Sequence, residues 1–461
     1  MTRGGPGDAP GRGSGGPGSA VGRAPSPGGP DRAVTGSPEP HRTPRSGGVV
    51  SADERAGRAL MAAFAVGLAV SITLAQTALA LLALRLLWRL VGGRARLAGW
   101  PLAAPVVAWV AASLLAALFS PDPLGAAATA LRGLALVAAL YVTLDALPDT
   151  AAADRWLGLL LALVTVSAVV GVLQVALCPW LAPRAGTLGA IPLAGRALAK
   201  CHRAHGFYSI YMTLAGVLSL AMLASLPRLL PGGGGAPAWR AAAWVASGAG
   251  LAMTYVRGAW IGFAAGVVTL LALVRRGRLP LVVAVVALAV AVLLVPGVRR
   301  RAGSIVDPAD PTARERLAMW QSAAAIARDH PLTGVGPGQV KRVYPRYALP
   351  EFRERPRAHV HNTPLQILIE RGLMGLGAWL ALHAAFFVRA MQALRSLAAG
   401  AARERAIVLG AVAAIAGYLV GGLTEYNFGD SEVVLVAWTV MALPFVVARS
   451  GRRDAIPGSP S

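Results

Sequence analysis

His361 and Asn362 lie in the run Ala358-His359-Val360-His361-Asn362-Thr363-Pro364-Leu365-Gln366, where a long basic loop meets an apolar block. Imidazole exchanges a proton near neutral pH, so His361 is the first candidate for acid–base chemistry. Thr363 as the cap, Pro364 at the first helical position and Gln366 three residues on mark a helix start. The partial positive charge of that helix end favours the neutral imidazole that a base needs. The alternative for His361 is a structural histidine that holds the loop by hydrogen bonds. His359 takes that structural reading. His-x-His spacing suits a metal, but no Asp-x-Asp, third His or Cys ligand stands nearby, so neither a metal nor another cofactor is expected.

Arg257 is the second candidate, in Met253-Thr254-Tyr255-Val256-Arg257-Gly258-Ala259-Trp260-Ile261-Gly262, between two apolar blocks with almost no linker. A charge at that depth marks function or snorkels to the headgroups. Downstream, Thr312-Ala313-Arg314-Glu315 has capping-box spacing. Leu317, Trp320, Ala324 and Ala327 then give one apolar helix face, with Arg316 near its start and His330-Pro331 at its end. The following Gly334-Val335-Gly336-Pro337-Gly338 looks like a phosphate cradle but follows a helix, so it is read as a turn.

Composition dictates what positions these residues. Hydrophobic residues make up 55% of the chain and charged ones 14%, against about a quarter charged in a soluble domain. Mean hydropathy is +0.57. Apolar blocks run roughly over 59–70, 73–91, 102–119, 131–147, 156–177, 207–227, 240–256, 258–274, 279–296, 372–394, 406–423 and 433–448. Most approach the length that crosses a bilayer core. The expected fold is therefore an all-α integral membrane protein with about 12 transmembrane helices. Residues 1–58, rich in Gly, Pro, Ser and Arg, read as a disordered cytoplasmic tail, 59–449 as the membrane domain, and 450–461 as a second cytoplasmic tail.

Charge distribution sets the expected topology. Splitting the first apolar stretch near Ser71 puts Arg85, Arg89, Arg94 and Arg96, then Arg228 and Arg240, then Arg275, Arg276 and Arg278, on the cytoplasmic edges. Arg389, Arg395, Arg403, Arg405, Arg449, Arg452 and Arg453 fall on the same side. Two basic loops fall outside. One, 178–206, holds Arg184, Arg196, Lys200, His202, Arg203 and His205 without a carboxylate. The other, 297–363, has twelve Arg or Lys against six Asp or Glu and bears short amphipathic helices. Anionic headgroups are one reading of these loops and a phosphate-bearing substrate the other. Basic charge outside the cytoplasm excludes a nucleic-acid partner. Cys178 and Cys201 share the first loop, where a disulfide and a buried helix-end cysteine are equally open readings.

The ordered set Arg257-Gly258-Ala259-Trp260-Ile261-Gly262, Arg316-Leu317-Ala318-Met319-Trp320, Pro331-Leu332-Thr333-Gly334-Val335-Gly336-Pro337-Gly338, His361-Asn362-Thr363-Pro364-Leu365-Gln366 and Glu370-Arg371-Gly372-Leu373-Met374-Gly375 resembles the O-antigen ligase family. The resemblance covers roughly residues 60–448. It implies a GT-C-like, metal-independent, inverting glycosyltransferase of lipopolysaccharide biosynthesis with a large periplasmic loop. Such an enzyme sits in the bacterial inner membrane and moves a glycan from undecaprenyl diphosphate to a hydroxyl acceptor, lipid A core first among them. It also implies Arg257 and Arg316 at the lipid diphosphate and His361 at the reacting centre.

Lys200, Arg203, His205, Arg357, His359 and Asn362 are secondary candidates. Glu425 and Asp430, in the hairpin Glu425-Tyr426-Asn427-Phe428-Gly429-Asp430-Ser431-Glu432, are rival bases. A lipid-linked repeat-unit polymerase and a protein O-oligosaccharyltransferase share the motifs and stay open. An anionic-solute transporter is the alternative from another class, disfavoured because polar residues collect outside the spans.

Overall fold

The computed structural model describes residues 51–95, 100–184, 200–274, 278–305, 307, 310–352 and 358–454. Arg196, Arg357 and the tail through residue 50 lie outside them. Among the described residues the chain is all helix and loop, without a strand. The first five helices are α1 (Ala52–Val70), α2 (Ile72–Val91), α3 (Ala103–Leu118), α4 (Pro123–Ala146) and α5 (Thr150–Leu181). Then come α6 (Tyr211–Ser225), α7 (Ala238–Met253), α8 (Arg257–Leu273), α9 (Arg278–Leu293) and α10 (Pro296–Gly303). The last five are α11 (Pro311–Asp329), α12 (Val340–Val343), α13 (Thr363–Arg395), α14 (Ala402–Gly421) and α15 (Ser431–Asp454).

Seven helical segments are long and apolar enough to cross a membrane: 72–91, 123–146, 150–180, 211–229, 363–395, 402–421 and 431–452. This is an all-α membrane protein. Every apolar block of the sequence overlaps a helix, but five of those helices miss the full criterion. α3, α7, α8 and α9 have only 16 or 17 residues. α1 has 19 and opens with Asp53, Glu54, Arg55 and Arg58. The break at Ser71 is real, with extended backbone at φ −156°.

One tail boundary needs correction. Residues 52–58 are helical, because Ser51 and Glu54 form a reciprocal capping box that starts α1 inside the segment read as tail.

Helix direction and contacts give the bundle two ends. At one end Arg85 bridges Asp53 and Asp145, and Asp154 binds both Arg228 and Arg240. These guanidiniums are almost fully buried, so each needs its carboxylate to offset desolvation. The other end carries the loops 200–210 and 422–430 together with α10–α12. Two observations tie this end together. The Cys178–Cys201 disulfide, with Cα atoms 5.3 Å apart, closes the loop after α5. The Tyr208 hydroxyl donates to Leu68 O at 2.8 Å.

Small residues let two helices deliver the site. Gly258, Gly262 and Gly266 recur every fourth residue on α8 and face α14. A Cβ on Gly262 would strike the Gly417 carbonyl, and one on Gly258 would strike Thr424. Such a stripe permits close backbone approach in an apolar medium. It brings the first turn of α8 against the loop that follows α14.

Candidate functional site

His361 has φ of +49°, a left-handed conformation that costs a non-glycine residue energy unless neighbours impose it. The neighbours do so on both sides. Val360 is held at both polar atoms: its N–H donates to Gln366 Oε1 at 3.0 Å, and its carbonyl accepts from Trp320 Nε1 at 3.0 Å. Asn362 Nδ2 donates to Leu423 O at 2.9 Å, and the Thr363 N–H donates to Gly422 O at 2.6 Å.

The helix start differs from the sequence expectation by one residue. Asn362 is the cap of α13, its Oδ1 accepting from Leu365 N at 2.9 Å. Thr363 is instead the first helical residue, and its hydroxyl is taken by Glu425 O and Asn427 Oδ1, both at 2.9 Å.

The imidazole and the 422–430 loop meet at Glu425. His361 Nδ1 lies 3.4 Å from Glu425 Oε2, and Arg316 Nη2 lies 2.6 Å from Glu425 Oε1. Burial pushes the Glu425 carboxyl up, but the His361 hydrogen bond and the Arg316 charge outweigh it and hold it below the usual carboxylate range. In the tautomer with its proton on Nδ1, His361 donates to the Glu425 carboxylate and Nε2 is the proton acceptor. The ring thus meets an anion as well as the helix end invoked from sequence.

Arg257, buried at the start of α8, donates to Asp310 Oδ1 at 3.0 Å and to Ser304 O at 2.6 Å. Burial pushes the Asp310 carboxyl up, while the Arg257 hydrogen bond and the N–H groups of α11 pull it below its ordinary value. Asp310 also caps α11, accepting from Thr312 and Ala313 N–H. The expected cap at Thr312 is therefore two residues late, since Asp310-Pro311 supplies both the acceptor and the helix-compatible proline.

The apolar face of α11 is rotated as well. Ala318, Met319, Ala323 and Ile326 are buried, whereas Leu317 is 55% exposed and Ala324 is exposed. Packing against Val335, Val340, Tyr344 and Ile369 selects that face. Asp310 caps α11 and Arg316 lies within it, so one helix positions both the carboxylate partner of Arg257 and the second arginine.

The glycine run is a structural clamp. Val335 N donates to Ile369 O, Gly336 N to Glu370 O, and Gly338 N to Glu370 Oε1. Those three N–H groups are spent on α13, the Gly334 N–H goes to His330 O and Pro337 has none, so no N–H of the run remains for a phosphate cradle. Gly372 breaks α13 at φ +62°, where a side chain would collide with Leu332.

The remaining candidates separate. His361, His359, Glu425 and Asp430 line one cavity of about 380 Å³. The rings of His359 and His361 lie 4.4 Å apart, edge to face. Asp430 is occupied, accepting from Thr213 Oγ1 at 2.5 Å and from Val433 N at 3.2 Å. Burial pushes its carboxyl above the ordinary range.

Lys200 and His205 do not line that cavity. Lys200 Nζ donates to Ser209 O at 2.7 Å, and the His205 ring contacts Lys200 O at 2.8 Å, so both stitch their own loop. Arg203 stacks on Tyr211 at 4.4 Å.

The sequence reading quoted Glu370 and Arg371 within a family-like motif but gave them no role; they are a buried pair at 2.6 Å whose guanidinium lies 4.9 Å from the Trp109 ring. Two adjacent charges at the kink glycine were the available signal. The four-residue glycine spacing of α8 was another.

No match to a curated protein was found for the chain. Residues 241–380, the stretch that holds Arg257, Arg316 and His361, match the family model of O-antigen ligase, a ligase or glycosyltransferase type of enzyme.

Proposed function

We propose that this protein transfers a glycan from undecaprenyl diphosphate to a hydroxyl acceptor at the periplasmic face of a bacterial inner membrane. The observation that supports it most is the Arg316–Glu425–His361 chain beside a strained histidine backbone, with Glu425 and His361 lining a cavity at one end of an apolar bundle. The acceptor oxygen attacks the anomeric carbon as the bond from that carbon to the diphosphate oxygen breaks. The leaving diphosphate keeps the electron pair. The hydroxyl proton passes to His361 Nε2, and the anomeric centre inverts.

Arg257 and Arg316 stabilise the charge that grows on the diphosphate, each exchanging its present carboxylate partner for phosphate oxygens. Glu425 orients the imidazole and ranks below His361 as a base, because it is already the acceptor for two cationic or N–H groups. Lipid A core is the acceptor first proposed. Polymerisation on the lipid carrier and transfer to protein are the alternatives.

Purified protein supplied with an undecaprenyl-diphosphate-linked oligosaccharide is expected to release undecaprenyl diphosphate only when an acceptor is present. In a deletion strain complemented with this chain, the molecule that gains the glycan names the acceptor. Uptake of an anionic solute into vesicles without glycan transfer would reverse the reading in favour of a transporter.

The proposed topology has twelve spans in a GT-C-like bundle, both termini inside and 297–363 outside. Reporter fusions after residues 200 and 330 should both report an extracytoplasmic position. A cytoplasmic signal at residue 330 would sink that arrangement.

A further inference from the structure

The end of the bundle away from His361 holds a cavity of about 820 Å³ that takes no part in the proposed transfer. It lies where α2, α4, α13 and α15 end. Leu86, Leu144 and Phe445 give it hydrocarbon, and Arg389, Arg449 and Arg452 give it charge.

The charge does not cancel within the protein. Asp145 is the one carboxylate among the described lining residues, and Arg85 and Arg89 bridge it while also holding Asp53. Two arginines and two aspartates leave that cluster neutral. Arg449 is spent on the carbonyls that end α4, with Nη1 donating to Leu144 O at 2.6 Å and Nη2 to Leu147 O. Arg389 and Arg452 are exposed, and neither has an ion-pair partner among the described residues. A helix end offers about half a negative charge, felt only within the last turn. Arg452 lies in that turn of α15, but Arg389 is six residues before the end of α13, about 9 Å inside it. About one to two positive charges are therefore left for a ligand.

Trp100 and Tyr141 set the depth of the cavity. Both line it, their rings lie 4.3 Å apart, and the Tyr141 hydroxyl donates to Pro101 O at 3.3 Å. Amphipathic rings of this kind favour the level of the lipid headgroups. An anion at that level comes attached to hydrocarbon, which suits a cavity with both kinds of wall.

We infer that this cavity binds an anionic glycerophospholipid, its headgroup phosphate held by Arg389 and Arg452 and its acyl chains against Leu86 and Phe445. A phosphodiester carries one negative charge, in keeping with the charge left over. Gln392 lines the same cavity and can meet the hydroxyls of a glycerol headgroup. The site lies at the other end of the bundle from the transfer chemistry, so it stands or falls separately from that reading.

The test is native mass spectrometry of the full chain in nonionic detergent, titrated with phosphatidylglycerol or with phosphatidylcholine of the same acyl chains. Phosphatidylglycerol should bind more tightly. Arg389→Gln should lower its affinity about fivefold, the factor that one cation near a membrane surface gives an anionic lipid, and Arg389→Gln/Arg452→Gln about twenty-five-fold. Both side chains are exposed, so neither substitution threatens the fold. Phosphatidylcholine binding should not change. Arg395 and Arg403 are exposed at the same end but do not line the cavity. Arg395→Gln/Arg403→Gln therefore removes equal charge and should leave phosphatidylglycerol affinity unchanged.

Equal losses in the two double variants would assign the attraction to surface charge in general and overturn the inference. Equal affinity for the two lipids would overturn it as well. Displacement of phosphatidylglycerol by millimolar inorganic phosphate would mean a site for a free anion instead of a lipid, and the inference would fail on that result too.

Discussion

A His361→Ala variant is expected to insert and express normally and to lose about a hundredfold to ten-thousandfold in glycan transfer, the range a general base contributes. Normal insertion follows from position. The ring is partly exposed in a cavity wall, and its helix is capped by Asn362. The backbone complicates a simple reading, because φ of +49° strains any residue with a side chain. Asparagine tolerates the left-handed region better than alanine does, so His361→Asn separates conformation from chemistry. Both variants should lose transfer. Full transfer by His361→Asn would show that the position serves the backbone and would remove the histidine from the proton step.

Arg316→Ala should lower transfer by about a hundredfold to a thousandfold, the loss typical when one preorganised charge donor is removed. It also strands Glu425, whose side chain is only 12% exposed, without its closest cation. Lost activity alone would therefore not separate diphosphate binding from local collapse. The double variant Arg316→Ala/Glu425→Gln removes both charges, so stability in detergent should recover while transfer does not. Recovery of transfer in the double variant would mean that the arginine acts only to neutralise Glu425. Arg257→Gln belongs to the same class, but its pairing with Asp310 also caps α11, so it should cost more stability for the same loss of transfer.

Much of this architecture is written in local patterns. The end of α11 at His330-Pro331 and the kink at Gly372 follow from a proline and a glycine at those positions, and the breaks at Ser71 and before Arg257 fall where the apolar blocks divide. Errors came where two local signals competed. Thr312 and Thr363 both have cap spacing, but Asp310 and Asn362 won because their side chains reach the first free N–H groups. The buried face of α11 was misplaced for a different reason. The helix carries two plausible apolar stripes, and only the partner surface of Val335, Val340 and Ile369 chooses between them.

By itself the sequence determined an apolar helical bundle and the chain order Arg257, Arg316, His361, because hydropathy and short motifs are properties of neighbouring residues. Tertiary structure alone decided that Glu425, 109 residues from Arg316 and 64 from His361, would join them. It also decided that Lys200 and His205 would serve their own loop, and that Arg389, Arg449 and Arg452 would share one cavity. Contacts over such separations depend on how helices cross. Here the glycine stripe of α8 packs against α14; its four-residue spacing is visible in the sequence, but nothing within α8 names α14 as the partner.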